Sequence, residues 1–100
     1  MRSLLTNLGS AGKPMPWYRL TFQAGVVQDL AAAGSAMAQR LLDKTKWIAS
    51  NAENLRHEAM QDLPGLHKYA VADWRIFYAV DRSERLIDIH AVVHKSALTQ

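Results

Sequence analysis

Besides Arg82 and Arg85 beside a turn, six side chains able to grip a phosphate or move a proton fall within LPGLHKYAVADWRIFYAVDRSERLIDIHAVVHK, residues 63–95: His67, Lys68, Arg75, His90, His94 and Lys95. They interrupt segments that are otherwise apolar and that alternate with a period of two, the pattern of half-buried strands. A strand whose whole task is to close a core has no use for so many cations. Lysine and arginine would hold a phosphodiester and neutralise the negative charge growing on it, and a histidine can take or give a proton near neutral pH. Competing chemistries lack their residues. There is no cysteine, and His57, His67, His90 and His94 show no helical ligand spacing, so neither a metal nor another cofactor is expected. No glycine-rich phosphate loop and no G-x-S-x-G nucleophile elbow occurs.

Each candidate also has a plain structural role. Arg75 could snorkel and pair with Asp73 or Asp88, Lys68 could be a charge that guards a sheet edge, and His90 could be a neutral, hydrogen-bonded sheet residue. His57 and His67 read as surface residues, and Arg82 and Arg85 as solvated charge beside a turn. Co-location is what sets Lys68, Arg75, His90, His94 and Lys95 apart.

The elements that must position them are three strands, 66–71, 74–80 and 85–93, joined by connections short enough to force an antiparallel meander. Alternation puts Trp74, Ile76, Tyr78 and Val80 on one face of the middle strand and Arg75, Phe77 and Ala79 on the other. On the last strand Ile87, Ile89, Ala91 and Val93 are expected to face inward, leaving Leu86, Asp88, His90 and Val92 on the opposite face. Where register allows, Arg75, His90 and a cation from strand 66–71 converge on one surface, with His94 and Lys95 extending past its end.

Upstream, residues 17–22 (WYRLTF) read as a strand and 23–34 as a short helix carrying Val26, Val27, Leu30 and Ala31 on one face. Residues 35–50 form a second amphipathic helix with Met37, Leu41, Leu42, Thr45 and Ile48 inward and Trp47 at the edge of that face, a stripe best suited to packing on a sheet. Gly34-Ser35 separates the helices as C-cap and next N-cap. Residues 51–64 are polar and read as a loop with at most one helical turn. Residues 1–16, broken by Gly9, Gly12, Pro14 and Pro16, read as a flexible N-terminal arm, and Met15 is an alternative translation start. Residues 17–100 are then a single domain of α+β class in the order β-α-α-β-β-β, a helical hairpin packed on one face of a mainly antiparallel four-stranded sheet.

Composition sets outer bounds. With 49% hydrophobic and 21% charged residues in a chain of 100, one folded domain is expected. The net charge of +3 suits a polyanionic or acidic partner without requiring one. Apolar runs stop well short of the ~18 residues of a membrane span, and no export signal is visible, so a cytoplasmic protein without membrane contact is expected.

The order of elements, together with LPGLHKYAVADWRIFYAVD and IDIHAVVHKS, resembles the RelE/ParE superfamily of toxins from bacterial type II toxin–antitoxin modules. The likeness covers residues 17–99 and is most specific in the W-R-I-F-Y strand and the closing I-H-x-V-x-H-K. It implies a compact toxin neutralised by a cognate antitoxin protein. RelE-like members enter the ribosome and cut mRNA through its 2′-hydroxyl without a metal; ParE-like members share the fold and inhibit DNA gyrase. Of these, the resemblance favours a ribosome-dependent mRNA endoribonuclease that represses translation. The alternatives are a gyrase-directed toxin of ParE type and a degenerate toxin that only binds its antitoxin. By the same resemblance Lys68 and Arg75 would bind the scissile phosphate, His94 would transfer the proton and Lys95 would add a phosphate contact; His90, placed on that surface by the alternation, is a further substrate-binding candidate. Many RelE-like sequences place a tyrosine shortly after the closing basic pair, whereas Ser96-Ala97-Leu98-Thr99 supplies none. Lysine at 95 also lacks the planar fork with which arginine grips a phosphate.

Overall fold

The computed structural model describes residues 18–60 and 63–98. Its elements are β1 (Arg19–Phe22), α1 (Val26–Ala33), α2 (Ser35–Ser50), β2 (Glu58–Ala59), β3 (His67–Val71), β4 (Trp74–Asp81) and β5 (Leu86–His94), followed by a 3-10 turn over Lys95–Ala97. They form an α+β fold: a single sheet in the order β1-β5-β4-β3-β2, antiparallel except where β1 runs parallel to β5, with the two helices across one face. The sheet has five strands where four were expected. The extra one, β2, lies within the stretch read as a loop, and at two residues it is too short to show any alternation. The arm over residues 1–16 and the alternative start at Met15 lie outside the described residues.

α1 turns Val26, Leu30 and Ala33 inward at the i, i+4, i+7 spacing of one helix face. Val27, expected beside them, is 72% exposed. At 3.6 residues per turn Val27 and Ala31 both fall roughly 90° or more from the centre of that stripe. Gly34 ends α1 and caps α2, because its φ of 85° and ψ of 157° belong to a region essentially restricted to glycine. Ala38 N–H donates to Gly34 O at 2.8 Å, which makes Gly34, and not Ser35, the N-cap of α2. α2 buries Leu41, Thr45, Ile48 and Ala49, and the buried Thr45 hydroxyl is satisfied by donating to Leu42 O at 2.7 Å. The hairpin rests on β1 and β5. Its far end is tied to β1 by Tyr18 N–H donating to Ala49 O at 2.9 Å, while the Tyr18 hydroxyl donates to the Glu53 carboxylate and is pushed above the usual phenol range by that bond.

The faces of β4 follow simple alternation, with Trp74, Ile76, Tyr78 and Val80 toward the helices. On β5 the alternation breaks. Tyr78 pairs with Ile89 and Phe77 with Ala91, so His90 is an extra residue, a β-bulge. Ile87 and Ile89 are buried as expected, but the next inward residue is Val92, 2% exposed, although it was assigned outward. Ala91 and Val93, assigned inward, lie on the outer face beside Phe77 and Arg75. One inserted residue inverts every later side chain, and nothing in an apolar run of this kind marks where the insertion sits.

Beyond the bulge β5 also outruns β1, whose last registered partner is Ile89. The Val92 N–H is met from the helical layer, donating to Asp29 Oδ2 of α1 at 2.9 Å. Asp29→Ala should strand that amide beneath α1 and cost about 1–3 kcal/mol, measured as a shift of the urea midpoint. Asp29→Asn, which keeps an accepting oxygen, should recover most of the loss.

Candidate functional site

The β3–β4 connection has only two residues, Ala72 and Asp73, and Ala72 sits at φ 52°, a left-handed conformation that costs a residue bearing a Cβ roughly 1–2 kcal/mol. Three candidates gather around this turn. The Arg75 guanidinium folds back over it, Nη1 donating to Ala72 O at 3.0 Å and to Trp74 O at 2.9 Å. Lys95 holds it from the end of β5, through Nζ to Asp73 Oδ1 at 3.3 Å and through its backbone N–H to Asp73 O at 2.7 Å. His94 stands edge-on to the Trp74 ring, centroids 5.2 Å apart at 88°. Strand sterics place Arg75 on the outer face and His94 on the helix face, so the two meet only because both lie at the sheet's end.

The tautomer of His94 is set by its neighbours. Ser96 N–H donates to Nδ1 at 3.1 Å, so Nδ1 carries the lone pair and the ring proton sits on Nε2. An Nε2–H donates to a phosphate oxygen readily; to accept a proton there the ring must first give up the Ser96 contact or lose its own proton.

Lys68 lies on the outer face opposite Phe77, diagonal to Arg75, and pairs with Glu58 Oε2 of β2 at 3.5 Å. Such exposed pairs contribute little and exchange easily for a stronger anion. His90 is set apart from the turn. It sits in the bulge, three residues before Val93, the cross-strand partner of Arg75, and its Nε2 lies 3.3 Å from Asp88 Oδ2. That carboxylate also accepts from Thr21 Oγ1 at 2.8 Å and Gln23 Nε2 at 2.7 Å, which makes His90 part of a polar seam between β1 and β5. Among the described residues no group of three or more His, Asp or Glu is arranged to hold a metal ion.

One cluster escaped the sequence reading. His57 and His67, both read as surface residues, pack with Tyr78 on the helix side of the sheet, ring centroids 5.4 to 5.6 Å apart. The Tyr78 hydroxyl and His57 Nδ1 are 2.7 Å apart, and His57 Nε2 lies 3.0 Å from Ala52 O. Because a carbonyl only accepts, the neutral ring carries its proton on Nε2 and accepts a hydrogen bond from the Tyr78 hydroxyl at Nδ1. Burial, with Tyr69 and Glu58 adding to it, pushes the Tyr78 phenol up to about 12. His67 Nδ1 is buried with no hydrogen-bond partner among the described residues. Burial first, then the fields of His57 and Arg82, lower the His67 pKa, with the Glu58 backbone acting the other way. A lowered folded value means that the unfolded chain binds the proton first. The contribution of His67 to stability is therefore complete above its unfolded value near 6.5 and is lost as pH falls below it. His67→Phe should flatten the dependence of the urea midpoint on pH between about 7.5 and 5.5 relative to the parent chain. The alternation would have placed His67 inward, since it lies two residues from Tyr69, but His57 follows no period at all.

A family model described as ParE toxin of type II toxin-antitoxin system, parDE, matches residues 20–98. Among curated proteins, none matches. Solved structures of the same fold include the toxin–antitoxin complex RelBE2 from Mycobacterium tuberculosis, at a TM-score of 0.69 and 15% identity, covering 78% of this chain and 98% of that one. The isolated E. coli RelE toxin is similar at a TM-score of 0.60 and 18% identity, covering 77% and 83%. The E. coli DinJ–YafQ toxin–antitoxin complex aligns at 0.63 with 14% identity, over 84% and 99%.

Proposed function

Because the chain belongs to the ParE toxin family of type II toxin–antitoxin systems, matched over residues 20–98, we propose that it is a toxin that cuts mRNA at the ribosome and is held inactive by a cognate antitoxin protein. The supporting observation is the gathering of Arg75, His94 and Lys95 around one strained turn, with Lys68 diagonal to Arg75 on the outer face. Arg75 and Lys68 hold the scissile phosphate and offset its growing charge. The ribose 2′-oxygen bonds to phosphorus as the bond to the 5′-oxygen breaks, leaving a 2′,3′-cyclic phosphate and a 5′-hydroxyl. The proton lost by the 2′-hydroxyl passes to solvent or to a ribosomal group, and Nε2–H of His94 donates toward the departing oxygen. Lys95, released from Asp73, adds a second cation. Such a protein works in the cytoplasm, and that RelE and YafQ are solved with antitoxins supports the same kind of partner here.

A second reading is favoured by two observations: the matching family model is that of ParE toxins, and no tyrosine follows Lys95 among residues 96–100. On that reading the same fold blocks DNA gyrase by binding it. Induction of the protein in cells separates the two by whether translation or DNA replication stops first. Early arrest of translation with cleaved mRNA is the expected result; intact mRNA alongside a DNA-damage response would overturn it.

A further inference from the structure

The helical hairpin rests on β1 and β5, and β2 covers only His67 and Lys68 of β3. Between α2 and the rest of β3 this leaves an open cleft of about 490 Å³ that runs down to Ala72. Its walls combine flat rings and cations. Trp47, 40% exposed, and Tyr69 face each other with centroids 5.8 Å apart and planes tilted by 55°. Lys44 Nζ lies over both, 4.7 Å and 5.6 Å from the ring centres. Arg40 stands one helical turn earlier on the same rim. The carboxylate in the cleft, Asp43, accepts from Gln39 Nε2 at 2.9 Å, and neither Arg40 nor Lys44 forms an ion pair among the described residues.

An exposed tryptophan beside unpaired cations suits a ligand that offers a flat ring and an anion together, as an unpaired nucleotide does. An acidic peptide would draw Lys44 toward its carboxylates and offer nothing flat to take its place over the rings. The cleft also leads to the basic end, since Ala72 lines it and its carbonyl is held by Arg75. We propose that this cleft is a nucleotide subsite, taking one base of a single-stranded RNA against Trp47 and a flanking phosphate on Arg40 and Lys44. The inference rests on the RNA-directed reading above. It adds that a strand whose scissile phosphate lies at Arg75 is gripped a second time, on the helix side of the sheet.

The test titrates the full-length protein with a fluorescently labelled single-stranded RNA hexamer at low salt, reading anisotropy and tryptophan emission, with cleavage assayed separately on ribosome-bound mRNA. The parent chain should bind with quenching of its emission. Trp47→Leu should weaken binding about tenfold or more and remove most of the quenching, although Trp17 and Trp74 remain. Arg40→Gln with Lys44→Gln should weaken binding and flatten its salt dependence. Arg75→Ala should lose cleavage yet keep the quenching. If the Trp47 and the Arg40/Lys44 variants, shown folded by circular dichroism, bind the hexamer as the parent does while Arg75→Ala still abolishes cleavage, the cleft is not a subsite although the proposed function stands. Loss of affinity for an acidic antitoxin peptide with RNA binding unchanged would reassign the cleft to the partner protein and overturn the inference. A parent chain that neither binds nor cleaves RNA would overturn both.

Discussion

Ile89→Asp should yield no folded protein. Ile89 is fully buried where β5 crosses between β1 and β4, in a core cluster that holds no cation, and the hydroxyl of its cross-strand partner Tyr78 is already engaged with His57. Losing a buried isoleucine costs about 2–5 kcal/mol, and an unpaired buried carboxylate adds several more. A domain of this length holds about 5–15 kcal/mol in total, so the two losses together match or exceed what keeps it folded. Val92→Asp should behave alike. Ala91→Asp should not, and this contrast tests the bulge: unbroken alternation would put residue 91 beside Ile89, whereas it faces outward next to Phe77. The expected cost there is about 1–2 kcal/mol. Circular dichroism and thermal unfolding of the three variants provide the check; equal loss of structure in all three would remove the assignment of faces.

Arg75→Ala should separate activity from stability. Its two contacts are to backbone carbonyls at an exposed turn, worth about 1 kcal/mol each at most. If Arg75 holds the phosphate in the transition state, its removal costs about 10²–10³-fold in mRNA cleavage. Arg75→Lys should fall between, because lysine keeps the charge and loses the fork. His94→Ala should reduce cleavage by about 10²–10⁴-fold. It also gives up the edge-on contact with Trp74, so its melting temperature should drop somewhat further than that of Arg75→Ala. Cleavage that survives Arg75→Ala within a few-fold would move the phosphate site elsewhere and favour the gyrase-directed reading.

What the amino-acid pattern reveals depends on how far each signal extends. The WRIFYAV strand alternates over enough residues for its two faces to be read without a structure, and the same residues carry the likeness to the toxin family. The helix pair was visible in its stripes, though a single residue of phase separates Val26, which is buried, from Val27, which is not. Signals that live in one or two residues stayed hidden. The bulge at His90 lies inside a run of apolar residues that reads equally well in either phase, and β2 spans only two residues. Among the candidate site residues, pattern could list the cations, but the fold alone decides that Arg75, His94 and Lys95 share an end while His90 belongs to the Asp88 seam. Trp47 reads as the edge of a packing stripe and Arg40 and Lys44 as charges off it, because the cleft they border exists only once α2 is laid across β1 and β5.

The parallel pairing of β1 with β5 sets when this protein can exist. Thr21 bonds to Asp88 across 67 residues of chain, and the helices between them rest on both strands. A nascent chain that has emerged as far as β4 therefore has its first strand without a partner and its helical hairpin without half of its seat. Contacts of such long range form late and only after the loop between them has closed. The sheet is completed only when the last strand has left the ribosome, so the basic end, which needs the end of β5 held to the β3–β4 turn by the Lys95 N–H bond to Asp73 O, assembles only after β5 has emerged. On the RNA-directed reading proposed above, a chain made only as far as β4 would not yet carry a basic end able to cut.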